Sequence, residues 1–481
     1  MLSIRNFYEY QEPYAEIGFT NNNCLSSYYS SNMTETDCKF VQEFLESIGV
    51  SALNTRVIKL NDTFYQILVC SYNSGGKVYT YKDVKFSIIY GDFSSFMYKL
   101  VQNLKQAKEF AANDTQKEML DHYIRHFITG DVNAHKDAQR SWIKDKGPII
   151  ETNIGFIEVY LDPMRVRAEY EGFVSIVDKE QSAKLNLLVE RAEGIISNLP
   201  WPKEFEKEKF SKPDFTSLNV LAFACSGTPI GINLPNYDDI VQNEGFKNVD
   251  LGNCYPKPKA EYIQFVKPED VELIAKYGND ALFVIVALHE LLGHGTGKLF
   301  KKNKDGKFNF DTNLKHPLTG EPITKWYEDH ETWGSKFGKL SSFYEECRAD
   351  SVALYLSCFK ESLEILLPGL ESAWDDIVYA AWLEVVLGAV RGLIYYSTET
   401  NQFGQSHIGA AYAILQVLLE AGNDFVKVEE GTKDGKPYVY LTMDRKQIHT
   451  TGKKAMGEFL RVSEVLFNVI FVETSNIQVH C

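Results

Sequence analysis

Ala281-Leu282-Phe283-Val284-Ile285-Val286-Ala287-Leu288-His289-Glu290-Leu291-Leu292-Gly293-His294 runs from an unbroken apolar stretch straight into two imidazoles and a carboxylate. Its first eight residues are apolar all round, as in a helix at the centre of a core. Such a helix gains nothing by burying a carboxylate and two imidazoles unless they are paired or metal-bound. Neutral imidazoles are zinc ligands, and the carboxylate between them is placed to take a proton from a zinc-held water. In the common H-E-x-x-H form the histidines lie at i and i+4, one helical turn apart. Here they lie at i and i+5, about 140° apart on an ideal helix. A shared metal therefore requires a local bulge, and π-bulges cluster at functional sites. Gly293 tolerates such a distortion.

A third ligand must come from elsewhere, since hydrolytic zinc keeps three protein ligands and one open position. Tyr344-Glu345-Glu346-Cys347-Arg348-Ala349-Asp350 supplies candidates on a second expected helix. Glu346 and Asp350 are four apart and share a face, while Glu345 is rotated by about 100°. One carboxylate can ligate while its neighbours accept N–H bonds from the histidines. Cys347 is a further candidate, although hydrolytic sites more often combine His with carboxylate. The alternative is a solvated acidic helix start, because Asp and Glu favour first turns.

His289–His294 and Glu345–Asp350, read as H-E-L-L-G-H and E-E-C-R-A-D, resemble the paired signatures of the dipeptidyl peptidase III family of zinc metallopeptidases. Asp145–Glu151, Gly155–Glu158, Gly231–Asp238, Glu244–Asn248 and Gly404–His407 resemble further family segments in family order, from roughly residue 15 to 462. The resemblance implies an α+β fold. Two lobes would flank a substrate cleft, one mostly helical and zinc-binding, the other mixed with a β-barrel-like core. It implies one Zn²⁺ per chain held by His289, His294 and Glu346, Glu290 as general base, and Glu345 and Asp350 behind the ligands. It also implies that Glu151, Asn233 and Asn236 hold the free amino terminus of a short peptide, and that His407 supports the transition state.

Several positions depart from the family pattern. Asn153 is read as standing where the family has a tyrosine that donates to the oxyanion. Ala411 replaces a substrate-binding arginine, Gly334 an aspartate and Asp350 a glutamate. Leu318 removes the first charge of an adaptor-binding E-T-G-E, so that partner is not expected. The chain also reads as shortened at both termini. The expected activity is release of dipeptides from peptide N-termini. An impaired or inactive peptide-binding relative is the second reading.

Around the motifs, 44% hydrophobic and 24% charged residues describe an ordinary globular chain of 481 residues, long enough for more than one core. A net charge of −15 argues against nucleic acid and anionic membrane as partners. Eight scattered cysteines form no C-x-x-C pair. The N-terminus lacks the apolar core of a signal peptide, so a cytoplasmic protein is expected; a monomer is expected as well. Helices are expected near 37–48, 97–112, 115–129, 377–396 and 407–421, and strands near 64–70 and 154–160. Segments 1–171 and 216–260 are assigned to the mixed lobe, and 172–215 and 261–481 to the helical one. His122 and His126, four apart, read as a solvated helix face.

Overall fold

The computed structural model describes residues 18–19, 28–210, 212–227, 229–255, 259–317, 319–398 and 402–468. Among the described residues the first helix is α1 (Glu35–Ser47), which is stopped at its N-terminus by a reciprocal Thr34–Asp37 capping box. It lies on a four-stranded sheet of β1 (Thr55–Asn61), β2 (Phe64–Cys70), β3 (Gly75–Tyr81) and β4 (Val84–Asp92), in the order β1-β2-β4-β3. The alternating burial of β2 turns Tyr65, Ile67 and Val69 towards α1. There Phe44 stacks on Phe86 with centroids 4.0 Å apart.

Helices α2 (Ser94–Lys108), α3 (Asp114–Thr129) and α4 (Val132–Lys144) share a second core with a five-stranded sheet. That sheet comprises β5 (Ile150–Phe156), β6 (Tyr170–Asp178), β7 (Asp214–Ala224), β8 (Gly231–Leu234) and β9 (Lys247–Asp250), in the order β5-β6-β7-β9-β8. The expected barrel is corrected here. Closure needs hydrogen bonds between the two end strands, and among the described residues β5 and β8 do not pair. β8 is also only four residues long and runs into Pro235, which has no N–H to donate. His126 differs too: it is buried, with Nδ1 2.8 Å from the Asp131 carbonyl and its ring 5.1 Å from that of His135.

The largest core is helical. The chain enters it with α5 (Lys179–Ile196), leaves through β7, α6 (Asp238–Asn243) and β9, and returns for good with α7 (Pro268–Leu288). Pro268 at the first turn, with Glu269 and Asp270, starts α7 where a missing N–H and negative charge are both favourable. The short α8 (Trp333–Phe337) leads to α9 (Ser341–Ser357), α10 (Lys360–Leu366), α11 (Trp374–Arg391), α12 (Ser406–Glu420) and α13 (Lys453–Asn468). The span Glu371–Tyr395 around α11 is long and apolar enough to cross a bilayer, with mean hydropathy 1.8. Its most apolar window is 61% buried among these helices, as in a core helix.

Candidate metal centre and catalytic site

Helix α7 does not end at His289. It passes into a π turn over His289–Gly293, in which the His294 N–H donates to the His289 carbonyl at 3.1 Å. This i→i+5 bond absorbs the extra residue and returns the two imidazoles to one side, with ring centroids 4.7 Å apart. Gly293 serves a different purpose from the one its flexibility implied. A Cβ there would lie 2.7 Å from the Cα and Cβ of Ala349, so glycine is what lets the π turn press against α9.

That contact delivers the three carboxylates of α9. Glu346 Oε2 lies 3.2 Å from His289 Nε2, 3.6 Å from His294 Nε2 and 3.5 Å from His407 Nδ1. The remaining nitrogens are taken: His289 Nδ1 meets Asp350 Oδ1 at 2.7 Å, and His294 Nδ1 meets Glu345 Oε1 at 3.0 Å. These bonds put the N–H on Nδ1 and turn both Nε2 lone pairs inward. Glu346 Oε2 is nevertheless buried with no hydrogen-bond partner, as is Glu290 Oε2.

A buried, unpartnered carboxylate oxygen facing imidazole lone pairs is unfavourable unless a cation joins them. Zn–N and Zn–O bonds of about 2.0–2.2 Å set tetrahedral ligand atoms roughly 3.3–3.6 Å apart, and the 3.2 and 3.6 Å separations fit that spacing. Ligand atoms of His289, Glu346 and His407 all lie within 4.8 Å of one another, a group able to hold a metal ion. The electrostatics agree. Burial works against protonating His289 and His294, yet the Asp350 contact on one and the Glu345 contact on the other raise both, so the site draws positive charge. Burial also opposes the charge of Glu346, but His407, His289 and His294 hold its carboxyl well below the usual range. Burial raises Glu290, the neighbouring imidazoles opposing it only in part.

The residues expected to hold substrate separate into two groups. Asn233 and Asn236 lie near the centre: Asn233 Nδ2 donates to the Glu290 carbonyl at 3.3 Å, and Asn236 Nδ2 to Glu158 Oε1 at 3.0 Å. Glu151 and Asn153 point the other way, into the core beneath the sheet. Glu151 is ion-paired with the fully buried Lys247 at 2.7 Å and accepts from Trp142 Nε1 at 2.7 Å. Asn153 is fully buried and exchanges hydrogen bonds with Gln139 at 2.8 and 3.2 Å. A charge already met by lysine has little to offer an ammonium.

Two residues that the sequence reading did not single out lie beside the centre instead. β5 stops at Phe156, earlier than expected, and the following chain carries Glu158 and Tyr160 towards α9, where the Tyr160 hydroxyl donates to Glu346 Oε1 at 3.4 Å. Glu158-Val159-Tyr160 repeats the spacing of Glu151-Thr152-Asn153 seven residues on, and that repeat was the available signal. Burial, with help from Glu346 and Glu169 and against the Asn236 bond, pushes Glu158 up to about 7. Arg165 holds the carbonyl of Tyr160, and Asp162 Oδ2 accepts from the Val166 and Arg167 amides, fixing the loop. Ala411 is buried in the helical core and Gly334 sits in α8. Leu318 lies outside the described residues.

The environment of Asn153 carries a prediction. Asn153→Tyr should not improve catalysis; it should lower stability by about 1–3 kcal/mol through overpacking, with the Gln139 bonds lost in addition. Thermal unfolding checks this, and a rise in kcat at unchanged Tm would contradict the placement.

The sequence pattern described as peptidase family M49 matches residues 3–467. The chain is 47% identical over 464 residues to dipeptidyl peptidase 3 of Nematostella vectensis, covering 92% of this chain and 63% of that protein. To dipeptidyl peptidase 3 of Homo sapiens it is 44% identical over 463 residues, with the same shares. It thus spans less than two thirds of the length of these relatives. Among solved structures, DPP III from Caldithrix abyssi matches with a TM-score of 0.61 at 18% identity, over 92% of this chain and 72% of that one. Dipeptidyl-peptidase III from Corallococcus sp. strain EGB matches with a TM-score of 0.59 at 18% identity, over 91% and 74%. These two likenesses concern the fold.

Proposed function

Since the chain belongs to peptidase family M49, we propose that it is a zinc-dependent exopeptidase releasing dipeptides from the N-terminus of short peptides. The observation that carries this reading is Glu346 Oε2, buried without a hydrogen bond among three imidazoles and beside Glu290. His289, His294 and Glu346 would hold the ion. They are preferred to His407 because, among the described residues, only His289 and His294 have a carboxylate on the second nitrogen. When bound, zinc supplies a Lewis acid for the scissile carbonyl and lowers the pKa of water.

The rest of the work falls to side chains. Glu290 accepts the proton of the attacking water and returns it to the nitrogen of the leaving amine. Burial moves it upward, towards a carboxylate able to do both. Gly231 of β8 leaves room for that carboxylate, since a Cβ there would lie 2.6 Å from Glu290 Oε1. The half-buried Tyr160 phenol, its pKa raised well above the ordinary value by desolvation and the neighbouring carboxylates, stays protonated and donates to the developing oxyanion. His407, exposed beside the cluster, assists from the solvent side. Glu158, with Asn236 bound to it and Asn233 nearby, accepts the substrate ammonium. Among the described residues β8 pairs on one side only, and its other edge offers backbone groups to an extended peptide. The reading as an inactive binding relative rested in part on Asn153 in place of a phenol, and Tyr160 speaks against that part, whereas Ala411 still stands in place of an arginine.

A dipeptide-release assay tests the proposal. Activity should vanish with a chelator and return with zinc. Acetylating the test peptide should sharply reduce cleavage, and Glu158→Gln should raise KM for free peptides more than it lowers kcat. Equal cleavage of acetylated and free peptides would make the protein an endopeptidase.

A further inference from the structure

Behind the metal cluster lies a second buried charge network that the proposed chemistry does not use. Arg348 of α9 is 1% exposed and is the cation at its centre. Its Nη2 donates to Glu345 Oε1 at 2.8 Å and its Nε to Glu345 Oε2 at 3.2 Å, a two-pronged grip on one carboxylate. Glu345 Oε1 is the same oxygen that meets His294 Nδ1 at 3.0 Å. On its other side Arg348 Nη1 lies 3.3 Å from Thr296 Oγ1, just beyond the π turn, and 3.5 Å from Glu464 Oε2. Glu464 is fully buried and belongs to α13. A second tie joins the same two helices, since the Tyr344 hydroxyl donates to the Ser463 carbonyl at 2.7 Å. Glu206 adds its negative charge to the field of Arg348 while held by the Gly297 amide at 2.9 Å and Trp201 Nε1 at 2.7 Å.

We propose that Arg348 and Glu464 are positioning residues for the metal centre, so that helix α13 helps set how tightly the site holds its ion. The path is short: Glu464 orients Arg348, Arg348 clamps both oxygens of Glu345, and Glu345 fixes the tautomer and angle of His294. A carboxylate held at two points cannot swing away from the imidazole. Lysine keeps the charge of Arg348 but has no planar fork, so it grips Glu345 at one point only. Losing an outer partner of a metal-binding histidine typically weakens metal binding by about 10–100-fold. The inference rests on His294 being a ligand, as proposed above.

The test measures zinc affinity of the full chain by competition with a chromophoric chelator, with thermal unfolding alongside. Arg348→Lys and Glu464→Gln should each weaken zinc binding, the first by about 10–100-fold and the second by less. A merely structural role would lower Tm and leave zinc affinity where it was. Because the effect runs through Glu345, Arg348→Lys should add little further loss in a Glu345→Gln background. A full and additive loss there would overturn the proposal, as would unchanged zinc affinity in Glu464→Gln. Glu464→Gln changes shape least and decides the matter if Arg348→Lys does not fold. A parent chain that takes up no zinc at all would instead defeat the reading of the metal centre.

Discussion

Glu290→Gln is expected to leave zinc bound and to reduce peptide turnover by about 10²–10⁴-fold, the usual contribution of a positioned general base. The substitution preserves size and shape, so the packing of the π turn against α9 should survive. The amide cannot take a proton at the working pH. Its NH₂ would also place a donor where Glu290 Oε2 now stands buried without a partner. Retained metal separates this outcome from the loss of a ligand, for His289→Ala or Glu346→Ala should remove both the ion and the activity. Metal content and kcat measured on the same preparations make the check, and a Glu290→Gln chain as fast as its parent would exclude Glu290 as the base.

The centre was legible because its instructions are local. A spacing of i to i+5 between the two histidines demands a helix defect, and the defect is the π turn His289–Gly293. The i to i+4 spacing of Glu346 and Asp350 sets one helix face, and that face meets His289 through both side chains. What sequence could not assign was set by distant partners. Glu151 and Glu158 sit on one extended stretch with the same local pattern, and alternation alone does not say which carboxylate looks towards the site. The choice is made by Lys247, 96 residues away, whose buried ammonium claims Glu151. The early end of β5 then lets the chain beyond it carry Tyr160 towards α9. Barrel closure failed for a similar reason: it depends on two end strands meeting, and no local periodicity encodes that.

Tyr160→Phe is the companion test of that crossing, with an expected fall in kcat of about 10²–10³-fold, the cost of removing one oxyanion donor. KM and zinc content should change little, because the phenol acts on charge that exists mainly in the transition state. Only the oxygen is removed; the ring still fills its place between the loop and α9. The 3.4 Å bond from the hydroxyl to Glu346 Oε1 is long and weak, so its loss should not unseat a metal ligand. A Tyr160→Phe chain that lost zinc would show that the phenol serves to orient Glu346. One with unchanged kcat would give the donor role to another group, such as His407, whose ring is exposed beside Glu346. Both outcomes differ from the expected one, in which metal and KM stay and the rate alone falls. That pattern would place the oxyanion on the Tyr160 side of the cluster, opposite the carboxylate that moves the proton.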